Sequence, residues 1–215
     1  MWNSNMIMEN FNKIFIEKTH CLVFQASLYN ETSKSWIGGK APALFDSRED
    51  LVNANGRQYY FYLTIVNPFK EDRAISIFIP ADFEDYLENQ IYPDCSIQIF
   101  EHPVTAESDR NIFTHPDLIK HSIDDGEIVS DKASMEQSFL IKMGGSPRLI
   151  QDEKYYFAKL MEDSFAFLLQ VDEDGYPSTL VKGNMPFNFG ALYVFTQLQE
   201  HGAFKQTVAG FWQFS

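Results

Sequence analysis

The chain contains two copies of one sequence pattern, and this duplication limits the folds that it can form. The first copy consists of Trp36–Pro42, Phe61–Val66, Ala74–Phe78 and Ser96–Phe100. The second copy consists of Lys142–Pro147, Phe167–Val171, Ala191–Phe195 and Gly210–Phe214. Gly39 and Leu63 have the same separation as Gly145 and Leu169, so the first two blocks of the copies share an offset of 106 residues. Because the blocks also keep one order, we predict a duplicated β unit.

Each copy begins with a pair of glycines and then a proline. Gly38-Gly39 precedes Pro42, and Gly144-Gly145 precedes Pro147. Glycine reaches backbone dihedrals that are closed to other residues, and proline fixes its own φ. A phosphate-binding loop would need a following helix and a Lys-Ser or Lys-Thr pair, and neither follows here. We therefore predict tight bends that let neighbouring strands approach closely.

The composition favours β structure. The 215 residues include 20 Phe, 10 Tyr and 3 Trp, and pleated sheets accommodate large rings most easily. We predict an α+β fold that is predominantly β, with two pseudo-repeated antiparallel sheet units and a few short helices. The predicted divisions are an N-terminal unit at 1–105, an acidic connector at 106–137 and a C-terminal unit at 138–215.

Local patterns place several elements along the chain. Runs of apolar, β-branched and aromatic residues predict strands at Cys21–Leu28 and Tyr59–Val66. Apolar residues at helical spacing predict helices over 6–18 and Asp82–Asn89. Short helices beside longer strands are what the predicted fold class requires.

Two hairpins are predicted in the C-terminal unit. Tyr155–Met161 and Phe165–Val171 are expected to pair as strands across the three polar residues between them. The Asp174-Gly175 pair predicts a type I′ turn, because both central residues of that turn need positive φ.

The charge of the chain restricts its partners. The 17 Lys and Arg residues against 30 Asp and Glu residues give a net charge of −13, which opposes unaided binding to nucleic acid or to an anionic membrane. The excess acid is consistent with a basic protein partner, and also with solubility alone. Within the acidic connector, we predict that Asp124, Asp125, Glu127 and Asp131 contact such a partner.

The sequence predicts a cytoplasmic protein. The first residues lack the basic start and apolar core of a signal peptide, and no apolar run approaches the ~20 residues of a transmembrane helix. The two cysteines, Cys21 and Cys95, fit best as core residues in a reducing compartment. A single disulfide between them is left open by the sequence.

The sequence contains no established catalytic or metal-binding motif. The five histidines form no His-Glu-x-x-His motif, the cysteines form no Cys-x-x-Cys motif, and no Gly-x-Ser-x-Gly occurs. His115 and His121 are expected in surface loops, and no serine is paired with a histidine by sequence. We predict no catalytic residues, no metal site and no cofactor.

Two glutamines are candidate site residues. Gln170 interrupts an apolar strand, and a buried amide must find hydrogen-bond partners. The favoured interpretation is a bridge from Gln170 to backbone at the Gly-Gly bend of the same unit. The alternative is that Gln151 and Gln170 line a ligand groove between the two units.

Three blocks of the second copy form a recognisable pattern. These blocks are Gly144–Gln151, Phe165–Asp172 and Phe189–Phe195. They resemble the YwqG-like family of bacterial proteins, whose pattern is roughly Gly-Gly-x-Pro…Gln, then Phe-Leu-x-Gln-hydrophobic-Asp, then Gly-x-Leu-hydrophobic-x-Phe. The resemblance covers about residues 138–200, and the first half of the chain matches only as the degenerate repeat.

The chain departs from the family pattern at two places. Leu149 occupies a position that is commonly aromatic in the family, and Thr64 stands where the second copy has Gln170. The resemblance implies two related β-rich halves. It implies no activity, but family members are similar to proteins encoded near secreted toxins, which suggests an immunity or binding role.

The charge and the resemblance lead to one main hypothesis. The chain is predicted to be a non-enzymatic protein-binding protein, most concretely a cytoplasmic immunity protein that blocks a basic toxin domain. The alternative is a small-molecule-binding or hydrolytic protein that uses a cleft between the two units. A third hypothesis, a scaffold in a larger assembly, would require an exposed apolar patch.

Overall fold

In the part of the chain that the structure describes, the strands form two antiparallel sheets of six strands each. In a computed structural model, residues 4–53, 56–83, 91–182, 190–199 and 204–214 are described. The strands are β1 (His20–Phe24), β2 (Ala26–Leu28), β3 (Trp36–Ile37), β4 (Tyr59–Val66), β5 (Arg73–Pro80), β6 (Gln98–Pro103), β7 (His121–Ile123), β8 (Glu127–Ser130), β9 (Ile141–Met143), β10 (Ala166–Asp172), β11 (Gly190–Leu198) and β12 (Phe204–Phe214). The first sheet has the order β2-β7-β3-β4-β5-β6 and the second has the order β12-β11-β10-β9-β1-β8. The predicted fold class, α+β and predominantly β, is confirmed.

The helical segments are short. They are α1 (Ser4–Phe11), which continues as a π-helical turn at Asn12–Ile16, then α2 (Glu49–Val52), α3 (Asp131–Ser134) and α4 (Ala158–Glu162), with 3₁₀ turns at Ala43–Ser47, Lys154–Tyr156 and Glu173–Gly175. The predicted helix over 6–18 thus corresponds to α1 and the π-helical turn. The predicted helix at Asp82–Asn89 lies almost entirely outside the described residues. None of the helices in the described ranges has the length and apolar character needed to cross a membrane.

The sequence repeat is also a structural repeat. Ile37 of β3 is the register partner of Leu63 of β4, and Met143 of β9 is the partner of Leu169 of β10. The strand register shifts in β4 just before Leu63 and in β10 just before Leu169. These two irregularities lie at equivalent positions in the two copies. The offset of 106 residues between the first two blocks therefore holds for the pairing of β3 with β4 and of β9 with β10 as well as for sequence.

The glycine pairs form the predicted bends. Gly38 and Gly144 have φ values of 70° and 75°, and each donates its backbone N–H to the equivalent residue of the neighbouring strand at 2.8 Å. A Cβ atom on Gly144 would lie 2.1 Å from Cγ2 of Ile14. Glycine is needed there both for the left-handed backbone and for the close approach of the N-terminal helical segment.

Four short strands form one ribbon that passes from one sheet to the other. In the second sheet β1 pairs with β8, and in the first sheet β2 pairs with β7. The chain changes sheets at Gln25 and again at 124–126, where the N–H of Asp124 donates to the carbonyl of Gln25 at 2.9 Å. We call residues 20–28 and 121–130 the crossing ribbon.

The sheets do not follow the predicted divisions at 1–105, 106–137 and 138–215. Strand β1, from the N-terminal segment, belongs to the second sheet. The acidic connector is not only a linker, because it supplies β7 to the first sheet and β8 to the second. The physical reason is that β3 and β9 each need a second hydrogen-bonded neighbour, and each finds it in the crossing ribbon.

One large apolar cluster is shared by the two sheets, and two smaller aromatic clusters accompany it. The shared cluster includes Leu63 of the first sheet and Leu169 of the second. The irregularities in β4 and β10 change the alternation of side chains, so that Phe61 and Phe167 join the smaller clusters instead. Because both faces of these strands are covered, their sequences are almost continuously apolar.

The two hairpins predicted in the C-terminal unit are wrong. The segment at 155–161 is helical, because β10 already has β9 on one side and β11 on the other and leaves no edge for a further strand. Residues Glu173–Gly175 form a 3₁₀ turn, in which the carboxylate of Asp172 accepts a hydrogen bond from the N–H of Asp174 at 3.0 Å. Gly175 serves close packing there, because a Cβ atom would lie 2.1 Å from the backbone nitrogen of Leu140.

The glycine bends yield a test of the fold. We expect Gly144→Ala to lower the free energy of unfolding by about 3 kcal/mol, since it combines a left-handed backbone with a clash against Ile14. Gly56→Ala is the control, because Gly56 also has φ 71° but has no atom within 4 Å of an added Cβ. That variant should lose only about 1 kcal/mol. If urea denaturation shows that both variants lose the same free energy of unfolding, the close approach of Ile14 to Gly144 does not contribute to stability.

Candidate functional site

A cleft of about 600 Å³ opens where the crossing ribbon changes sheets. Its lining residues are Leu22, Phe24, Ser27, Asn30, Thr32–Ser35, Val66, Pro68, Glu71 and Ser122–Gly126, and we call it the crossover cleft. Strand β1 of the second sheet forms one part of the wall, and β2, β7, the end of β4 and the loop residues at 30–35, 68–71 and 124–126 form the rest. Gly126 lets the turn pass close over Phe24, whose Cζ atom would lie 2.7 Å from an added Cβ.

Acidic side chains dominate the charge of the crossover cleft. Glu71, Asp124 and Asp125 line it, and Lys34 is the basic residue among the lining residues. The turn between β7 and β8 is fixed in place, because Oδ1 of Asp124 accepts a hydrogen bond from the hydroxyl of Ser27 at 2.5 Å. Three of the four predicted partner contacts, Asp124, Asp125 and Glu127, are exposed at this turn.

Asp131, the fourth predicted partner contact, has a structural position instead. Its Oδ1 atom lies 2.8 Å from Nζ of Lys142 and accepts a hydrogen bond from the N–H of Ser146 at 3.1 Å. The Lys142 side chain is fully buried and also donates to the carbonyl of Ser146 at 2.6 Å. Because Asp131 neutralises a buried cation, and its side chain is only 16% exposed, its charge is not available to a partner.

Gln170 forms the structural bridge that the sequence favoured. The side chain is fully buried, its Oε1 accepts from the N–H of Arg148, and its Nε2 donates to the carbonyl of Arg148, both at 2.9 Å. Nε2 also donates to Asp172 at 2.7 Å. Gln151 is exposed, and its Oε1 accepts from the hydroxyl of Tyr156 at 2.8 Å. The alternative groove between the units is not lined by these glutamines, because both bind within the C-terminal unit.

Three polar side chains on neighbouring strands of the second sheet hold the segment that follows the glycine bend. Gln170 on β10 is the register partner of Tyr193 on β11. Gln213 on β12 lies two residues after the register partner of Tyr193. The hydroxyl of Tyr193 donates to the carbonyl of Arg148 at 2.8 Å, and Oε1 of Gln213 accepts from the N–H of Ile150 at 3.0 Å. These bonds satisfy buried amides and backbone groups together, so this trio is structural.

The first sheet carries a different trio at the equivalent positions. Oγ of Ser76 lies 3.0 Å from the hydroxyl of Thr64 and 2.7 Å from Nε2 of His102. Nδ1 of His102 lies 2.8 Å from the carbonyl of Pro103, which only accepts, so Nδ1 carries the proton and Nε2 is an acceptor. The single hydroxyl proton of Ser76 can serve either Nε2 or the hydroxyl of Thr64. Burial lowers the pKa of His102 below its ordinary value.

The Ser76–His102 pair has the connectivity of an activated nucleophile but lacks access. Ser76 is completely buried and His102 almost so, and the ring of Phe45 covers His102 at a centroid distance of 5.2 Å. A substrate could not reach the hydroxyl without displacing that ring. Sequence motifs did not reveal the pair because strand register, not local spacing, brings Ser76 and His102 together. The sequence repeat indicates only that Ser76 corresponds to Tyr193, and strand register shows that His102 corresponds to Gln213.

The histidines expected in surface loops are buried. Nε2 of His121 lies 2.9 Å from the hydroxyl of Thr179, and Nδ1 of His115 accepts from the N–H of Asp117 at 3.1 Å. Burial lowers the pKa of His115 as well. Among the residues that the structure describes, no three or more His, Cys, Asp or Glu side chains are grouped so that they could hold a metal ion.

Comparison with known proteins gives no relative for this chain. No family model, no curated protein and no solved structure matches it. The resemblance to the YwqG-like family therefore stays a prediction.

Neutralising Asp131 and neutralising an exposed acid should have different effects on stability, which tests the structural role of the Asp131–Lys142 pair. We expect Asp131→Asn to lower the free energy of unfolding by about 3 kcal/mol, because it leaves the buried Lys142 cation without its counter-ion. Asp125→Asn removes the same charge from an exposed turn and should change stability by less than about 0.5 kcal/mol. Chemical denaturation of both variants measures the difference, and a loss below about 1 kcal/mol for Asp131→Asn would contradict the structural assignment.

The buried His102 yields a pH test. Its lowered pKa means that the unfolded chain, with a histidine pKa near 6.5, takes up a proton before the folded chain does. Stability should therefore fall as the pH drops below about 6.5 towards the folded pKa. His102→Gln, which introduces the residue found at the equivalent position Gln213, should show a shallower fall in unfolding free energy between about pH 7.5 and 5.5. Parallel curves for the two proteins would refute this assignment.

Proposed function

We propose that this chain is a non-enzymatic protein-binding protein, and that its specific role is that of a cytoplasmic immunity protein that blocks a basic toxin domain. The observation that carries the proposal is the acidic turn between β7 and β8. Asp124, Asp125 and Glu127 are exposed there, on a turn that the hydrogen bond between Asp124 and Ser27 holds in place. Fixed, exposed carboxylates of one sign are suited to bind a cationic surface.

The overall charge supports the same proposal. A net charge of −13 creates a field that accelerates encounter with a cationic protein and falls off with added salt. Cys21 and Cys95 are free thiols, which fits the proposed reducing, cytoplasmic location. The proposed membership of the YwqG-like family is consistent with a role beside a secreted toxin.

A small-molecule-binding or hydrolytic function is the second candidate. The crossover cleft favours it, because about 600 Å³ falls within the range of about 300–1,000 Å³ that is usual for ligand pockets. Hydrolysis has less support, since the lining residues in the described ranges include no His or Cys. The Ser76–His102 pair lies elsewhere and is buried. We therefore favour binding over catalysis.

Charge removal at the turn tests the proposed function. The variant Asp125→Asn/Glu127→Gln should bind the product of the neighbouring gene about tenfold more weakly than the unmodified chain, because two exposed attractions are lost. The matched control is Glu49→Gln/Asp50→Asn, which removes two exposed acids from α2. That control should keep the affinity within about twofold.

Affinities are compared by co-purification and biolayer interferometry at about 50 mM and about 300 mM salt. The difference between the two variants should shrink at the higher salt concentration. Equal weakening by both variants would refute binding at this turn. Failure of the unmodified chain to bind the neighbouring product at either salt concentration would refute the immunity role.

A further inference from the structure

The crossover cleft combines an apolar wall with an acidic rim. Val66 and Pro68, at and just after the end of β4, are half-buried and contribute apolar surface, and Leu22, Phe24 and Ile123 of the shared core add only narrow edges because they are almost completely buried. The carboxylates of Glu71 and Asp125 belong to the same lining. A ligand that fills this space therefore needs both an apolar part and a positive charge.

The acids of the rim come from two separate turns. Glu71 lies in the turn between β4 and β5, and Asp124 and Asp125 lie in the turn between β7 and β8. The turn with Glu71 joins two paired strands of the first sheet, whereas the turn with Asp124 and Asp125 passes from the first sheet to the second, so a cation in the cleft is attracted from more than one direction. Lys34 opposes this attraction, which leaves the lining with an excess of two negative charges when Lys34 is set against Glu71, Asp124 and Asp125.

The edge of the first sheet borders the cleft. Strand β2 is the edge of the first sheet, and it ends at Leu28, whose side chain is 79% exposed. Ser27 and Asn30, on either side of Leu28 in the chain, both line the cleft.

We infer that the crossover cleft binds an extended segment of a protein partner that alternates basic and apolar side chains. This inference rests on the proposed function and adds to it the place and the chemistry of the contact. Lys and Arg side chains place their aliphatic stems on apolar surface and keep the charged end at a polar rim, which is what the wall and Asp125 provide. The cleft volume of about 600 Å³ suits a few residues of such a segment and not a folded domain.

Three labelled pentapeptides serve as probes, because the natural partner is not identified. Their sequences are Lys-Val-Lys-Val-Lys, Lys-Ser-Lys-Ser-Lys and Glu-Val-Glu-Val-Glu, which separate charge from apolar contact. Fluorescence anisotropy measures affinity, and amide chemical shifts of the labelled chain locate the site. We expect Lys-Val-Lys-Val-Lys to bind most tightly and to shift the amides of Ser27, Ser35 and Asp125.

Two substitutions of exposed residues that change the charge of the cleft in opposite directions extend the test. Lys34→Glu should tighten binding of both lysine peptides about two- to fivefold, and Asp125→Asn should weaken it by a similar factor. Val66→Ser should weaken Lys-Val-Lys-Val-Lys and leave Lys-Ser-Lys-Ser-Lys unchanged. Glu49→Gln, on α2, is the control for a change of net charge alone. Circular dichroism confirms that each variant is folded.

The other outcomes either overturn the inference or separate it from the proposed function. Equal binding of the two lysine peptides would show that the apolar wall is not used, and equal binding of Glu-Val-Glu-Val-Glu would indicate an apolar ligand. If the lysine peptides shift amides elsewhere on the acidic surface, the cleft is not the site, although the proposed function stands. If the neighbouring gene product does not bind but Lys-Val-Lys-Val-Lys still binds in the cleft, the immunity role fails and the cleft chemistry stands.

Discussion

The exchange of strands through the crossing ribbon is the feature on which the rest of the structure depends. Each copy of the repeat supplies the central strands of its own sheet, but β1 and β8 complete the second sheet, and β2 and β7 complete the first. The sheets are thereby held next to each other, and their inner faces share one apolar cluster. The crossover cleft and the acidic turn both lie where this exchange occurs.

The two copies keep the same scaffold and use different polar chemistry in it. At equivalent positions the first sheet has Thr64, Ser76 and His102, and the second has the trio of Gln170, Tyr193 and Gln213. The second trio is long enough to reach the backbone at 148–151, whereas the first bonds mainly within itself. Buried polar groups must be satisfied in either arrangement, which explains why both trios are closed networks.

The sequence predicted well the features that depend on short-range chemistry. The glycine pairs indicated bends, and the amide of Gln170 within an apolar strand indicated a backbone bridge, because both follow from local constraints. The exchange of strands was not predictable in this way. His20–Phe24 precedes the first copy in the chain, and nothing in its composition shows that its neighbours are in the second sheet.

The same limit explains the site residues. Asp124, Asp125 and Glu127 were proposed as partner contacts from charge alone, and the structure shows that they are exposed. Asp131 lies in the same acidic segment of the sequence as those three residues. Its partner Lys142 lies between two apolar residues of a strand, so only the three-dimensional structure shows that the two charges are paired. The crossover cleft needed the three-dimensional structure, because its wall comes from β1 and its rim from two turns distant in sequence.

The crossing ribbon also has a consequence for the history of the chain. A tandem duplication normally leaves two copies that can be separated again, each with its own set of strands. Here the strands that border β3 and β9 come from segments that lie outside both repeated patterns, and the segment between the copies serves the two sheets at once. The copies have thus become one inseparable folding unit, in which neither half of the gene encodes a complete sheet.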